Sequence, residues 1–435
     1  MQSKLPDRSN SIQQPESLLE KSRDREAVFQ FFLKTEVQEG SNQNQLSFLD
    51  RGIKSSPYSK EIDRYPQRLL SKPDGQTVVS LGSEIQLTNS KQMISFTSYP
   101  QVGRMPAIDQ TGLEFLHSDI EEACVCVGSL VNGEMQAHWL GRNSLTPAQF
   151  WSSTKIVPIV NLVCRVNAQQ PQIPIQDCTF CNPSQKAQDI TFANAAIDIV
   201  SYRNDDDSKG VMTSNATAGM MKRFSSLPEL EQWLQRTTGN SSLKFRGYYG
   251  ADPLIKNPGL RSKTGLILTA VPEGERGDNL VTAYDLTRLT SMVGWHPYLT
   301  KTTRLPGAQW HSLQTVVQAM GYDTARYIEA AISRLGLGDT IREPVILSKL
   351  GFGASDLRSR IELIFTCLVQ FIDDRPLSQS QPSVLRTWAM TLRGASQKIN
   401  STGQRDLDEE ARCLDARMAA EVTEIMRRLI TQELS

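Results

Sequence analysis

Two apolar runs, Ala123-Cys-Val-Cys-Val-Gly-Ser-Leu-Val131 and Glu134-Met-Gln-Ala-His-Trp-Leu140, flank the dipeptide Asn132-Gly133. A two-residue Asn-Gly loop supplies the positive φ angles that a type I′ turn requires, so the spacing predicts a β-hairpin. Directly after it comes Phe150-Trp-Ser-Ser-Thr-Lys-Ile-Val-Pro-Ile-Val160, which places Ser152 and Lys155 three residues apart at the head of an apolar stretch. If a helix starts there, positions i and i+3 share one face about a turn apart, and the Lys155 amine sits beside the Ser152 hydroxyl. Serine is a poor nucleophile until a base takes its proton. A neutral lysine can serve, once burial or a neighbouring cation lowers it from a usual pKa of ~10.4. A second copy of the spacing, Ser241-Ser-Leu-Lys244, lies in a stretch rich in Gly and Asn with no apolar helix behind it. There the ordinary reading is a cap and a solvated charge.

The rest of the chain divides by pattern. Residues 1–90 are polar, apart from a helical stretch near Glu16 to Lys34, and are expected to be largely disordered with one amphipathic helix, able either to dock on the body of the protein or to hold a protein partner. Residues 91–435 are expected to form the main domain. Helix signals begin at Thr213-Ser214-Asn215, at Leu227, at Thr282 and at Thr324, while residues 237–280 look loop-rich. Pro344 to Gly351 and Ile361 to Phe371 resemble buried strands, and Val384 to Ile399 and Leu407 to Leu429 resemble helices. The sum is an α+β fold, with a sheet built from both ends of the domain and an α-helical part between them.

In this order the motifs resemble those of the serine β-lactamase and penicillin-binding D-alanyl-D-alanine peptidase superfamily, whose signatures are Ser-x-x-Lys, Ser-x-Asn and Lys-[Thr/Ser]-Gly. The resemblance spans roughly Glu121 to Asp373. It implies a β-lactamase/transpeptidase-like fold, with Ser152 as the acylated nucleophile and Lys155 as its base or proton relay. Thr213-Ser214-Asn215-Ala-Thr-Ala218 is similar to the second motif in either of two registers. One aligns Thr213 and keeps Asn215 for substrate binding; the other aligns Ser214 and keeps the trailing Thr-Ala. A helix N-cap explains the same residues equally well. For the third motif Lys263-Thr264-Gly265 matches literally but precedes the helix at Thr282, whereas Lys349-Leu350-Gly351 follows that helix inside a strand. The resemblance therefore implies Lys349 as the cation for a substrate carboxylate and Gly351 as part of the substrate-binding strand, with Leu350 lacking the motif's hydroxyl. Arg326, Arg358 and Arg360 are further candidates for that carboxylate. The class A glutamate that activates the deacylating water has no counterpart in Leu266-Ile-Leu-Thr-Ala-Val271, which implies a persistent acyl-enzyme.

Composition narrows the alternatives. Lysine plus arginine equals aspartate plus glutamate at 47 each, so no global field points to nucleic acid. The N-terminus has no apolar leader core and no run of about 18 apolar residues occurs; the expectation is a soluble, cytoplasmic protein without a membrane span, a periplasmic address remaining open. Seven cysteines without regular spacing fit a reducing compartment. Cys178-Thr-Phe-Cys181 is one pair in search of two more metal ligands, and neither metal nor cofactor is expected. The first functional reading is a serine hydrolase or acyltransferase acting on a small-molecule or peptide amide, β-lactam or ester. The second is a catalytically silent member that keeps the fold as a binding or scaffold surface.

Overall fold

The computed structural model describes residues 15–39, 46–182, 190–202, 214–355, 357–375, 381–399 and 403–434. Five long strands carry the architecture: β1 (Ile120–Val131), β2 (Glu134–Arg142), β3 (Ile341–Ser355), β4 (Arg360–Asp373) and β5 (Ser383–Ser396). They lie antiparallel in the order β3-β4-β5-β1-β2, with Thr97–Ser98 beyond β2 and Val78–Val79 paired parallel to the start of β5. The sheet thus joins early and late parts of the chain, as expected. Asn132 at φ 53° and Gly133 at φ 82° make the hairpin turn, and the register that follows pairs Val131 with Glu134 and Cys126 with Trp139.

Each of the central strands is buried on both faces, because helices cover the sheet front and back. On β1, Cys124 and Cys126 enter one core while Ala123, Val125 and Val127 enter the other; this is the two-residue alternation of a strand read between two apolar layers. The front core takes in the helices Ile156–Gln169, Phe192–Ser201, Ser214–Lys222, Ala283–Gly294 and Trp310–Gly321. The back core takes in Arg25–Glu39, Tyr327–Arg334 and Leu407–Ile430.

One expectation is corrected. Val384 to Ile399 does not form a helix: Ser383–Ser396 is strand β5, at the middle of the sheet. Its apolar positions fit both periods, since a strand with two buried faces has no polar side to betray the alternation. Its arginines are buried and paired, Arg386 with Asp373 at 2.7 Å and Arg393 with Glu362 at 2.7 Å. In the N-terminal segment, the helix expected near Glu16 to Lys34 docks on the body of the protein. Val28 and Phe32 of the Arg25–Glu39 helix are 2% exposed, and Phe32 meets Phe48 edge to face at 5.1 Å. Short strands and 3₁₀ turns follow between Ile53 and Ser98.

Charge pairing explains why a polar segment docks. Arg25 binds Glu421 at 2.7 Å and Arg23 binds Glu433 at 2.7 Å, so carboxylates of the C-terminal helix and of the residues just after it face the N-terminal segment. Asp415, fully buried, accepts from the backbone amides of Phe48 at 2.9 Å and Leu49 at 3.1 Å, and from the Tyr327 hydroxyl. Beside it, burial and then the Asp415 carboxylate push Glu36 up to about 10, so Glu36 keeps its proton at neutral pH. Replacing Asp415→Ala strands two buried amides and is expected to cost about 3 kcal/mol, read as a lower denaturation midpoint.

Candidate active site

Ser152 lies in a 3₁₀ turn, Trp151–Lys155, and the α-helix Ile156–Gln169 begins one residue later. An α-helical start was expected; the tighter turn takes its place. With three residues per turn, positions i and i+3 eclipse, so the 3₁₀ geometry aligns Ser152 with Lys155 more directly than an α-helix does. Ser152 is half-buried, whereas Lys155 is 1% exposed. Thr154 closes the turn by donating from Oγ1 to the Trp151 carbonyl at 2.8 Å.

The turn is held from two sides. Trp151 has φ 44°, a left-handed conformation rare for a bulky side chain, and its indole Nε1 donates to Glu362 Oε2 at 2.7 Å. Glu362 is fully buried and also accepts from Arg358 at 2.6 Å, Arg360 at 3.1 Å and Arg393 at 2.7 Å. Burial alone would raise its pKa, but the hydrogen bonds from Arg358 and the charge of Arg393 bring it down to about 2. On the other side β3 lies flush against the turn. A Cβ on Gly351 would stand 2.8 Å from both the Phe150 carbonyl oxygen and Ser153 Oγ, and one on Gly353 would stand 2.5 Å from the Trp151 ring. Ser153 Oγ donates to the Lys349 carbonyl at 3.1 Å, stitching turn to strand.

Lys155 Nζ reaches the second motif region. It donates to Ser214 Oγ at 2.9 Å, and Ser214, the first residue of the Ser214–Lys222 helix, donates to the Ile199 carbonyl at 2.9 Å. Burial, and then the charge of Lys349, lowers the Lys155 amine to about 6. Thr213, the competing hydroxyl, lies outside the described residues, and Asn215 is half-buried on the next position of the helix. Lys263-Thr264-Gly265 sits on an exposed turn between the strands Gly259–Ser262 and Gly265–Thr269, and Ser241 and Lys244 are exposed as well.

Lys349 is fully buried on β3, and its amine is already engaged. Nζ donates to the Tyr202 hydroxyl at 2.7 Å and to the Leu350 carbonyl at 3.1 Å. Burial lowers it to about 7 against the opposing pull of Asp323. Of the candidate arginines, Arg326 pairs with Glu329 at 2.7 Å, Arg360 with Glu121 at 2.6 Å, and Arg358 with Glu362. Cys178 has its Sγ 3.9 Å from the Pro174 carbonyl oxygen and Cys181 has its Sγ 3.5 Å from that of Gly259.

Sequence reasoning missed Tyr202. It follows the Phe192–Ser201 helix with φ 52°, its ring centroid is 3.9 Å from Lys349 Nζ and 5.3 Å from Lys155 Nζ, and its phenol accepts from Lys349 Nζ at 2.7 Å and donates to the Leu350 carbonyl at 3.4 Å. Burial raises that phenol well above its ordinary pKa, so it stays protonated. A lone tyrosine after an apolar helix carries no spacing signal. Tyr249 closes the other side, its hydroxyl on the Thr154 carbonyl at 3.2 Å and its ring 5.8 Å from Lys155 Nζ.

No family model matches the sequence, and no curated protein matches it. Among solved structures the chain is similar to a β-lactamase from Desulfarculus baarsii DSM 2075, at 14% identity and a TM-score of 0.37 over 73% of this chain and 96% of that one. It is also similar to a peptidoglycan synthetase from Bifidobacterium adolescentis ATCC 15703, at 11% identity and a TM-score of 0.25 over 73% of this chain and 58% of that one.

Two measurements check this geometry. The Lys155 amine loses its proton as pH rises, so any proton abstraction from Ser152 is expected to increase through pH about 6 and level off above it; the rate of covalent labelling of Ser152 against pH reads this. Gly353→Ala drives a methyl into the Trp151 ring and is expected to destabilise the fold by about 1–3 kcal/mol, with slower labelling than the loss of folded protein accounts for.

Proposed function

We propose that this chain is a serine hydrolase or acyltransferase working through an acyl-Ser152 intermediate, of the kind found in the serine β-lactamases and penicillin-binding peptidases. The observation that carries the reading is the buried Lys155 amine, lowered to about 6 and set 2.9 Å from Ser214 Oγ, one eclipsed turn from Ser152. At neutral pH such an amine is mostly unprotonated and can act as a general base. An exposed lysine of ordinary pKa would hold its proton.

In this reading Lys155 takes the Ser152 proton as Oγ attacks the acyl carbon. Backbone amides of the turn and of the β3 segment 349–353 stabilise the developing oxyanion, a task for which the flush packing of Gly351 and Gly353 brings strand and turn together. The proton then passes from Lys155 through Ser214 to the leaving group. Deacylation is slow: Leu266 to Val271 offers no carboxylate, and Glu273 is committed to Arg223 at 2.8 Å and to Arg276 at 3.3 Å.

Intact-protein mass after exposure to a fluorophosphonate tests the nucleophile. One adduct is expected on the wild type and none on Ser152→Ala, with Lys155→Met reacting at least about 100-fold more slowly. Equal labelling of wild type and Ser152→Ala, or no labelling of either, would overturn the acyl-enzyme reading and favour a binding protein.

A further inference from the structure

We propose that the Ser152 site takes neutral acyl donors, esters or thioesters with no carboxylate beside the scissile bond, because Tyr202 fills the position at Lys349 that an anionic group would need. The inference rests on the acyl-Ser152 reading and narrows its substrate class.

An amine that receives a carboxylate must offer N–H donors to the site and carry a charge there. Lys349 spends two donors inside the protein, on the Tyr202 hydroxyl at 2.7 Å and the Leu350 carbonyl at 3.1 Å, and is fully buried. The Tyr202 ring lies 3.9 Å from Nζ, so an aromatic face covers the amine. Burial, lowering Lys349 to about 7, leaves a good part of it uncharged at neutral pH. An anion brought there gives up its hydration for a partial countercharge, which is unfavourable.

No other described group takes over the task. Leu350 packs with Ile346 in the back core, on the strand face opposite Val345 and Leu347, so the residue between Lys349 and Gly351 turns an aliphatic side chain away from the front face. Arg358 and Arg360, next along the chain, are tied to Glu362 and Glu121. What lies around the two lysine amines is the ring of Tyr202 and the ring of Tyr249. These suit an uncharged, partly aromatic donor.

A matched pair of probes decides the matter: the N-benzoylglycyl thioester of mercaptoacetic acid and the methyl ester of the same compound, which differ in one negative charge. In each reaction the Ser152 Oγ–carbon bond forms and the carbon–sulfur bond breaks. The Ser152 proton travels by Lys155 and Ser214 to the departing thiolate, and released thiol is measured in single turnover. The neutral probe is expected to acylate Ser152 at least about tenfold faster than the anionic one. Tyr202→Phe removes the acceptor on Lys349 Nζ and is expected to shrink that ratio by raising the rate with the anionic probe. Preference for the anionic probe in the wild type, or a ratio unmoved by Tyr202→Phe, would overturn the inference. The neutral fluorophosphonate keeps the two readings apart: labelling of Ser152 together with preference for the acid defeats only the substrate class, whereas failure to label defeats the acyl-enzyme reading itself.

Discussion

The contact on which the site depends is that between β3 and the turn carrying Ser152. Turn and strand belong to segments about 200 residues apart in the chain, yet a single methyl group on Gly351 or Gly353 would not fit between them. Such an approach needs a strand that cannot shift, and among the described strands β3 lies at the edge, paired on one side. Its rigidity comes from β4, paired with it through thirteen registered positions, and from the Glu362 cluster, which reaches from β4 to Trp151. The left-handed Trp151 backbone is tolerable because its indole is bonded to a buried anion.

Much of this was legible in the sequence, and the reasons for the rest are physical. The Asn-Gly hairpin, the strands around Lys349 and Phe365 and the helices at Ser214, Leu227 and Leu407 follow from turn chemistry and apolar period. Strand β5 was not legible because burial on both faces erases the polar half of the alternation. Where the N-terminal segment docks was not legible because composition counts charges without knowing their partners; Arg23, Arg25 and Glu36 meet Glu433, Glu421, Ser47 and Asp415, about 400 residues away in all but one case.

For the site, spacing alone indicated the Ser152 turn and Lys155, and the order of elements favoured Lys349 over the literal Lys263-Thr264-Gly265. Tyr202 could not be found that way. Its importance arises from where the Phe192–Ser201 helix ends relative to β3, a tertiary fact with no local pattern. The occupied Lys349 amine is equally invisible in one dimension: a motif gives the residue type and leaves its partner unstated.

Two lysines buried within one electrostatic neighbourhood also burden the fold that holds them. Both amines are held below the value they have in an unfolded chain, so between the folded and unfolded pKa values the unfolded chain binds more protons. The penalty is absent above the unfolded amine's pKa of ~10.4 and grows as pH falls. It is complete only below about pH 6, where both folded amines carry their charge. Reactivity and ruggedness therefore pull against each other here, and alkaline solution is where this fold relaxes.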